Sequence, residues 1–256
     1  IENATIRNGF IGIQAESFTR LTENKVKLHN VIIENMNGIG IFSRIFNIVA
    51  SNTVVSNCGG YNLALTGGGY YSFVQSTIAG YWPFSVRNTP AMYINNYLLD
   101  TLDNPIPIAF NLNFDNSILY GYNKDEFETD MDGGADSLYF FKNCILKTAL
   151  NLSNDEIYSN VLKNEDPLFV NYSENDYRID SLSPSVGRAD VAIASTVPKD
   201  ILDNSRLPLP DIGAYQFIPG QDIGKKNRTT GIPPRISIRK LEINKKGNYP
   251  FLKTPR

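Results

Sequence analysis

The chain has one histidine, two cysteines, one tryptophan and three methionines in 256 residues, and each scarcity removes a class of explanation. A lone histidine, His29 between Leu28 and Asn30, cannot build a His-rich metal centre and reads as a structural residue. Cys58 and Cys144 have neither metal-ligand spacing nor a disulfide framework, so two unpaired buried thiols are expected. No apolar run approaches the roughly 18 residues of a membrane span. The net charge of −2 gives no general attraction to nucleic acid or an anionic membrane. The sequence opens on Ile1 without a basic-then-apolar leader, so any export signal is expected to have been removed or to lie outside this sequence.

Helix-forming stretches rich in Ala and Leu are also scarce. What is plentiful is Asn, Gly and aromatic residues (19 Gly, 14 Tyr and 14 Phe), the composition of a turn-rich β protein. Two near-copies of one hexapeptide stand out, NVIIEN at 30–35 and NTVVSN at 52–57. Taking Ile33 as an anchor, equivalents recur at Ile6, Val55, Ile78, Leu99, Leu119 and Leu146, spaced 20 to 27 residues apart. Three residues before each anchor stand Asn3, Asn30, Asn52, Gln75, Asn96, Asn116 and Asn143. A column of Asn at such intervals marks a repeat rather than chance. Each unit is a short strand bounded by residues that tolerate a left-handed backbone. Such a unit cannot bury its apolar face alone, so the copies must stack as parallel strands about 4.8 Å apart. Second strands are expected after the anchors, at Ile11/Ile13, Ile39/Ile41, Tyr61/Leu63 and Phe84/Val86.

This pattern resembles the right-handed parallel β-helices of the pectate-lyase-like superfamily. The resemblance implies an all-β fold, a single-stranded right-handed parallel β-helix (solenoid) with an Asn ladder. After Leu146 the repeat fades. SNDE at 153–156 reads as a capping box opening one short helical turn. The elements DPLFV, DYRI, SPSVGRAD and DIGAYQF, spread over 166–217, resemble the C-terminal closing segment of β-helix proteins on surface and secreted proteins of Bacteroidota. Gly187-Arg188-Ala189 and Tyr215-Gln216 depart from that pattern. The expected organisation is therefore β-helix repeats over 1–163, a closing segment over 164–217 and a basic extension over 218–256. ISIRKLEI in the extension alternates as an edge strand would. Since Ile1 begins inside a repeat, preceding coils or another chain are expected to cover that end.

For chemistry, the sequence offers little. The resemblance implies that a hydrolase would carry adjacent aspartates, a Gly-His-Gly and an Arg-x-Lys within the coils, and the chain has no Asp-Asp pair. Asp130, Asp132 and Asp136 alternate around Gly133-Gly134, a spacing that suits a hard cation such as Ca²⁺, against the plainer reading of a solvated acidic loop. Tyr70, Tyr71, Tyr81, Trp82, Tyr93, Tyr120 and Tyr122 lie in or beside the turns of the middle repeats, where exposed rings could stack on sugar faces. Core packing is the expectation for Phe84 and Tyr97. Finally, the residues just before the anchors should face outward. Five of them, Ile32, Val54, Leu98, Ile118 and Ile145, are large and apolar, which predicts a cover by a loop, the C-terminal tail or a partner chain.

Three functional readings follow. The first is an extracellular or cell-surface protein that binds a polysaccharide or a surface protein without catalysis. The second is a polysaccharide lyase or glycoside hydrolase whose active residues lie partly outside this chain. The third is a structural subunit of an outer-membrane surface assembly.

Overall fold

A computed structural model describes residues 1–18 and 21–220. The expected edge strand in the basic extension lies outside the described residues. The strands recur in sequence order. The first two repeats hold β1 (Glu2–Arg7), β2 (Ile11–Glu16), β3 (Lys25–Glu34) and β4 (Ile39–Arg44). The next two hold β5 (Asn47–Ser56), β6 (Leu63–Thr66), β7 (Gly69–Val74), β8 (Thr77–Gly80) and β9 (Met92–Asn95). After a hairpin of β10 (Tyr97–Leu99) and β11 (Pro105–Pro107) come β12 (Phe110–Asp115), β13 (Ile118–Gly121) and β14 (Phe127–Asp130). The last repeats hold β15 (Ser137–Lys142), β16 (Ile145–Leu146), β17 (Tyr158–Ser159) and β18 (Leu162–Lys163). The closing segment contributes the antiparallel pair β19 (Phe169–Asn171) and β20 (Asp176–Ile179), then one short helix, α1 (Val191–Ser195).

These strands form a large curled parallel sheet and a second parallel sheet of five strands, ordered β14-β9-β6-β4-β2. The repeat is physical, because residues aligned by sequence sit in register: Ile6 opposite Ile33, Ile33 opposite Val55 and Val55 opposite Ile78. Ile33, Val55, Ile78, Leu119 and Leu146 are fully buried and belong to one cluster with the inward residues of the second sheet, such as Ile41, Leu63, Met92 and Phe127.

The Asn column earns its place through backbone geometry. Asn3, Asn30, Asn52, Gln75, Asn116, Asn143 and Asn160 all have φ between +46 and +54°, the left-handed region that Asn tolerates best among non-glycine residues. Each bends the chain sharply between two halves of a strand. Asn96 is not among them, and neither is a Leu99 rung. The step from Ser76 to its stacked neighbour Ser117 spans 41 residues, and the β10–β11 hairpin is an excursion within it. Leu99 is 49% exposed there. The rung that the sequence pattern lacks is Asn160, whose amide donates to Asn143 Oδ1 at 3.2 Å.

Two other expectations are corrected. Phe84 and Val86 form no strand; they sit in the loop between β8 and β9, 71% and 86% exposed. The SNDE turn opens on Asn154 and not on a Ser153 capping box: Asn154 Oδ1 accepts from the Glu156 amide at 3.1 Å, and Asn154 O accepts from the Ile157 and Tyr158 amides at 3.1 and 2.8 Å.

The apolar stripe has a cover, and it is the chain's own closing segment. Val54, Ile118 and Ile145 are at most 1% exposed beneath Tyr177, Ile179, Ala189, Ile212, Ala214 and Tyr215, and Ile32 packs at the edge of the same cluster. Leu98 is no member of that stripe, since it belongs to the hairpin and packs toward Gly67. A partner chain over this face is therefore not needed.

The closing segment also takes over the ladder's hydrogen bonds. At the first rungs Asn amides bond one another, Asn30 to Asn3 and Asn52 to Asn30, each at 3.0 Å. In the middle they turn to the segment. Asn52 donates to Lys199 O and accepts from Arg206, and Asn116 exchanges bonds with both backbone groups of Asp190. The longer Gln75, with its nitrogen toward the segment, reaches Asp211 O and Gly213 O at 3.1 and 3.0 Å.

Candidate functional site

Sheet register determines which side chains share the outer face of the five-stranded sheet. Gln14, Phe42, Ala64, Tyr93 and Glu128 form one row, and Glu16, Arg44, Thr66 and, on the last two strands, Asn95 and Asp130 form the next. Phe42 and Tyr93 are half-buried, and Ala64 between them is buried. Tyr61, just before β6, lies 5.7 Å from Tyr93 between ring centroids. Burial first, and then the Glu128 carboxylate, push the Tyr61 phenol above its ordinary range. The rings and Glu128 are thus neighbours on one surface.

Beyond Glu128 this surface opens into a cleft of about 510 Å³. Its walls are two loops, 81–91 and 122–126, with Phe127, Glu128, Thr129 and Leu150. The polar lining comes from Asn88, Thr89, Asn123, Lys124, Asp125 and Glu128. Thr89 Oγ1 and Thr129 Oγ1 are buried without a hydrogen-bond partner among the described residues.

What holds the two loops is a buried ion pair. In register with Glu126, the preceding strands carry Ala91, Asn62 and Gly40, small or uncharged residues at a crowded corner. A carboxylate there needs a partner, and Arg87 supplies it. Arg87 Nη2 lies 2.7 Å from both Glu126 oxygens, and the two side chains are 3% and 0% exposed. Glu126 also accepts from the amides of Ala91 and Asn123 at 2.8 Å, while Arg87 Nη1 donates to Thr89 O at 2.7 Å. Desolvation pushes the Glu126 carboxyl above its ordinary range, with Arg87 opposing. Such a pair adds little net stability after desolvation, but it fixes the relative placement of its loops.

No protein-family model matches this chain, and no curated protein matches it. The site therefore rests on its own geometry.

The expected ring residues separate into groups. Tyr71 points inward, fully buried, with its hydroxyl donating to Gly68 O at 2.9 Å, so it has no face for a sugar. Tyr81 is 6% exposed and stacks on Tyr172 at 4.3 Å, with Tyr122 edge-on to both. Tyr120 lies under the Lys147 ammonium at 4.5 Å. These rings seat the closing segment. Trp82 is 8% exposed and braces the 81–91 loop, bonding Ser85 Oγ at 3.0 Å and packing edge-on to Phe84. Tyr122, 47% exposed, stands at the start of the cleft's second loop, and Tyr70, 45% exposed, is on the outer face of the other sheet. Phe84, Phe42 and Tyr61 are the rings that sequence reasoning missed. The alternation of strand positions around Phe42 could have found it.

The aspartates do not converge. Asp130 accepts from the hydroxyls of Tyr97 at 2.5 Å and Tyr93 at 3.3 Å. That bond, more than burial, pushes the Tyr97 phenol up to about 12. Asp132 accepts from the Gly134 amide and Asp136 is exposed. Among the described residues no group of three or more His, Cys, Asp or Glu is placed to hold a metal ion. In place of converging ligands, this loop shows a tyrosine-bonded Asp130 followed by an Asx turn at Asp132. His29 bonds Ser51 at 2.8 Å, and both cysteines are free and buried. No helix among the described residues is long and apolar enough to cross a membrane.

Proposed function

We propose that this chain is a right-handed parallel β-helix that binds glycan without catalysis, outside the cell or on its surface. The occupant lies along the outer face of the five-stranded sheet and ends in the cleft beside Glu128. One observation carries the reading: half-buried rings at Phe42, Tyr61 and Tyr93 run into a cleft lined by amides, hydroxyls and charged groups. A sugar ring has an apolar face of C–H groups and a polar rim, so it matches a surface of that composition. The buried Arg87–Glu126 pair prepares the cleft before binding, which lowers the ordering cost.

Glycan-array screening of the full chain, with Tyr93→Ala and Tyr61→Ala alongside, tests it. Retention of at least one polysaccharide, weakened at least tenfold in both variants, supports the site. Absence of any retained glycan removes the reading.

A hydrolytic reading has one observation in its favour. Glu128 and Asp130 occupy alternate positions on β14 and share its outer face. Alternate residues stand about 7 Å apart, within the range of an inverting carboxylate pair. Release of reducing ends from a retained polysaccharide, abolished in Glu128→Gln, would replace binding by hydrolysis. Growth of ultraviolet absorbance on uronate polymers would instead indicate a lyase.

A further inference from the structure

The contact between the closing segment and the repeats has a titratable group at its centre. Asp115 ends β12 immediately before Asn116, the rung whose carboxamide donates to Asp190 O at 2.9 Å and accepts from Asp190 N at 2.8 Å. Asp190 is also the N-cap of α1, accepting from the Ile193 amide at 2.8 Å. The same rung's main-chain carbonyl accepts from the Gly213 amide at 2.8 Å, so Asn116 holds the segment at two places.

The Asp115 side chain is poorly served there. Its Oδ1 is buried with no hydrogen-bond partner among the described residues. Facing it are Lys142, its register partner on β15, Val74 on β7, and the Asp190 carboxylate from the closing segment, with the Cys144 thiol beneath. One cation and one further anion therefore surround a half-desolvated carboxylate. Burial is the largest influence and Asp190 adds to it, while Lys142 opposes both. The balance pushes the carboxyl up to about 6.

We propose that Asp115 is a proton-operated latch on the closing segment: neutral, it accepts Asp190 and α1 beside it, and ionised, it repels them. The sign follows from linkage. Docking brings the Asp190 carboxylate near the poorly solvated Asp115, so docking favours the proton-bound form. Reciprocally, proton binding tightens docking. That contribution is fully present below the carboxyl's unfolded value and is lost as pH rises through about 6. The closing segment covers Val54, Ile118 and Ile145, so its loosening would uncover an apolar stripe in neutral solution and conceal it in acid.

Hydrogen exchange on the full chain tests the latch, with rates corrected to protection factors at pH 5.0 and 7.5. The amides to follow are those of Asp190, Ile193 and Gly213, against sheet amides such as those of Ile41 and Leu63 as references. Wild-type protection of the three should fall roughly tenfold from pH 5.0 to 7.5, the change one unit of pKa coupling carries. The reference amides should not follow. Asp115→Asn should hold the acid-level protection at both pH values. Asp190→Asn keeps a capping side chain and removes the charge, and should shrink the response. Flat wild-type protection, or an undiminished response in Asp115→Asn, overturns the proposal. If Asp115→Asn does not fold, an undiminished response in Asp190→Asn overturns it equally.

Discussion

The guanidinium of Arg206 donates to Asn52 Oδ1 at 2.8 Å, joining a residue of the closing segment to the third rung of the Asn column. The same Nη2 reaches Ala214 O at 3.0 Å, and the side chain is 1% exposed. Burial pulls its pKa down to about 10, while Asp200 and Asp211 hold the charge in place. The ladder is therefore continuous across two parts of the chain: repeats supply its first rungs and the closing segment completes the middle ones.

Replacing Arg206 by Met leaves Asn52 Oδ1 without this donor in a buried place, while Ala214 O keeps the Ile201 amide at 3.1 Å. An unmet buried acceptor costs about 1–3 kcal/mol, so Arg206→Met should lower unfolding stability by about that amount. Urea denaturation of both proteins checks it. Arg206→Lys should recover part of the loss, because one nitrogen makes both bonds and an ammonium also carries several donors.

The apolar stripe gives a contrast between residues that look alike in sequence. Ile118 and Ile145 lie at 0% exposure under the closing segment, and Leu98 is only half-buried in the hairpin. Ile118→Ala and Ile145→Ala should each cost about 2–5 kcal/mol through lost burial and an unfilled cavity. Leu98→Ala should cost well under that, about 1 kcal/mol or less. Equal losses at the three positions would mean that the hairpin packs as tightly as the core.

The Leu98 case shows where sequence reading reached its limit. Asn96-Tyr97-Leu98-Leu99 has the same order of residue types as a true rung, and only the partners distinguish it. Asn96 bonds Asp132 O and Ser137 Oγ, each at 2.7 Å, which ties the hairpin base instead of bending a strand. Asn3, Asn30, Asn52, Gln75, Asn116 and Asn143 were readable because a left-handed bend recurs at each and few residues tolerate it. Asn160 escaped because its strands are two residues long and leave almost no apolar pattern. The site was less legible still. The Arg87–Glu126 pair spans 39 residues and has no local signature. Phe84 looked like a core residue until its loop was seen to turn outward.

The buried pair makes its own prediction. Glu126→Gln leaves the Arg87 side chain, 3% exposed, with no carboxylate, a loss of about 3–5 kcal/mol for an uncompensated buried charge. Changing both, Arg87→Met with Glu126→Gln, should recover much of that stability but not the cleft's shape. On the binding reading, the double variant should stay folded by circular dichroism while glycan retention falls. Full retention in the double variant would mean the pair does not position the loops.

The thiols test burial directly. Desolvation pushes Cys58 up to about 12 and raises Cys144 as well, and both side chains lie at 0% exposure. The thiolate is the reactive species, so at pH 8 both should be almost inert to a thiol reagent in the native protein. Two equivalents should react once the chain is unfolded in guanidinium, since both cysteines are free. Cys144 also donates to Phe114 O at 2.9 Å and Lys142 O at 3.1 Å, in the position that Ser117 fills one rung earlier. Cys144→Ser should therefore be tolerated within about 1 kcal/mol, because a hydroxyl already serves at the neighbouring rung. Cys144→Val, similar in volume but without a donor, should cost more, and comparison of the two urea midpoints decides whether that column is held by packing or by hydrogen bonds.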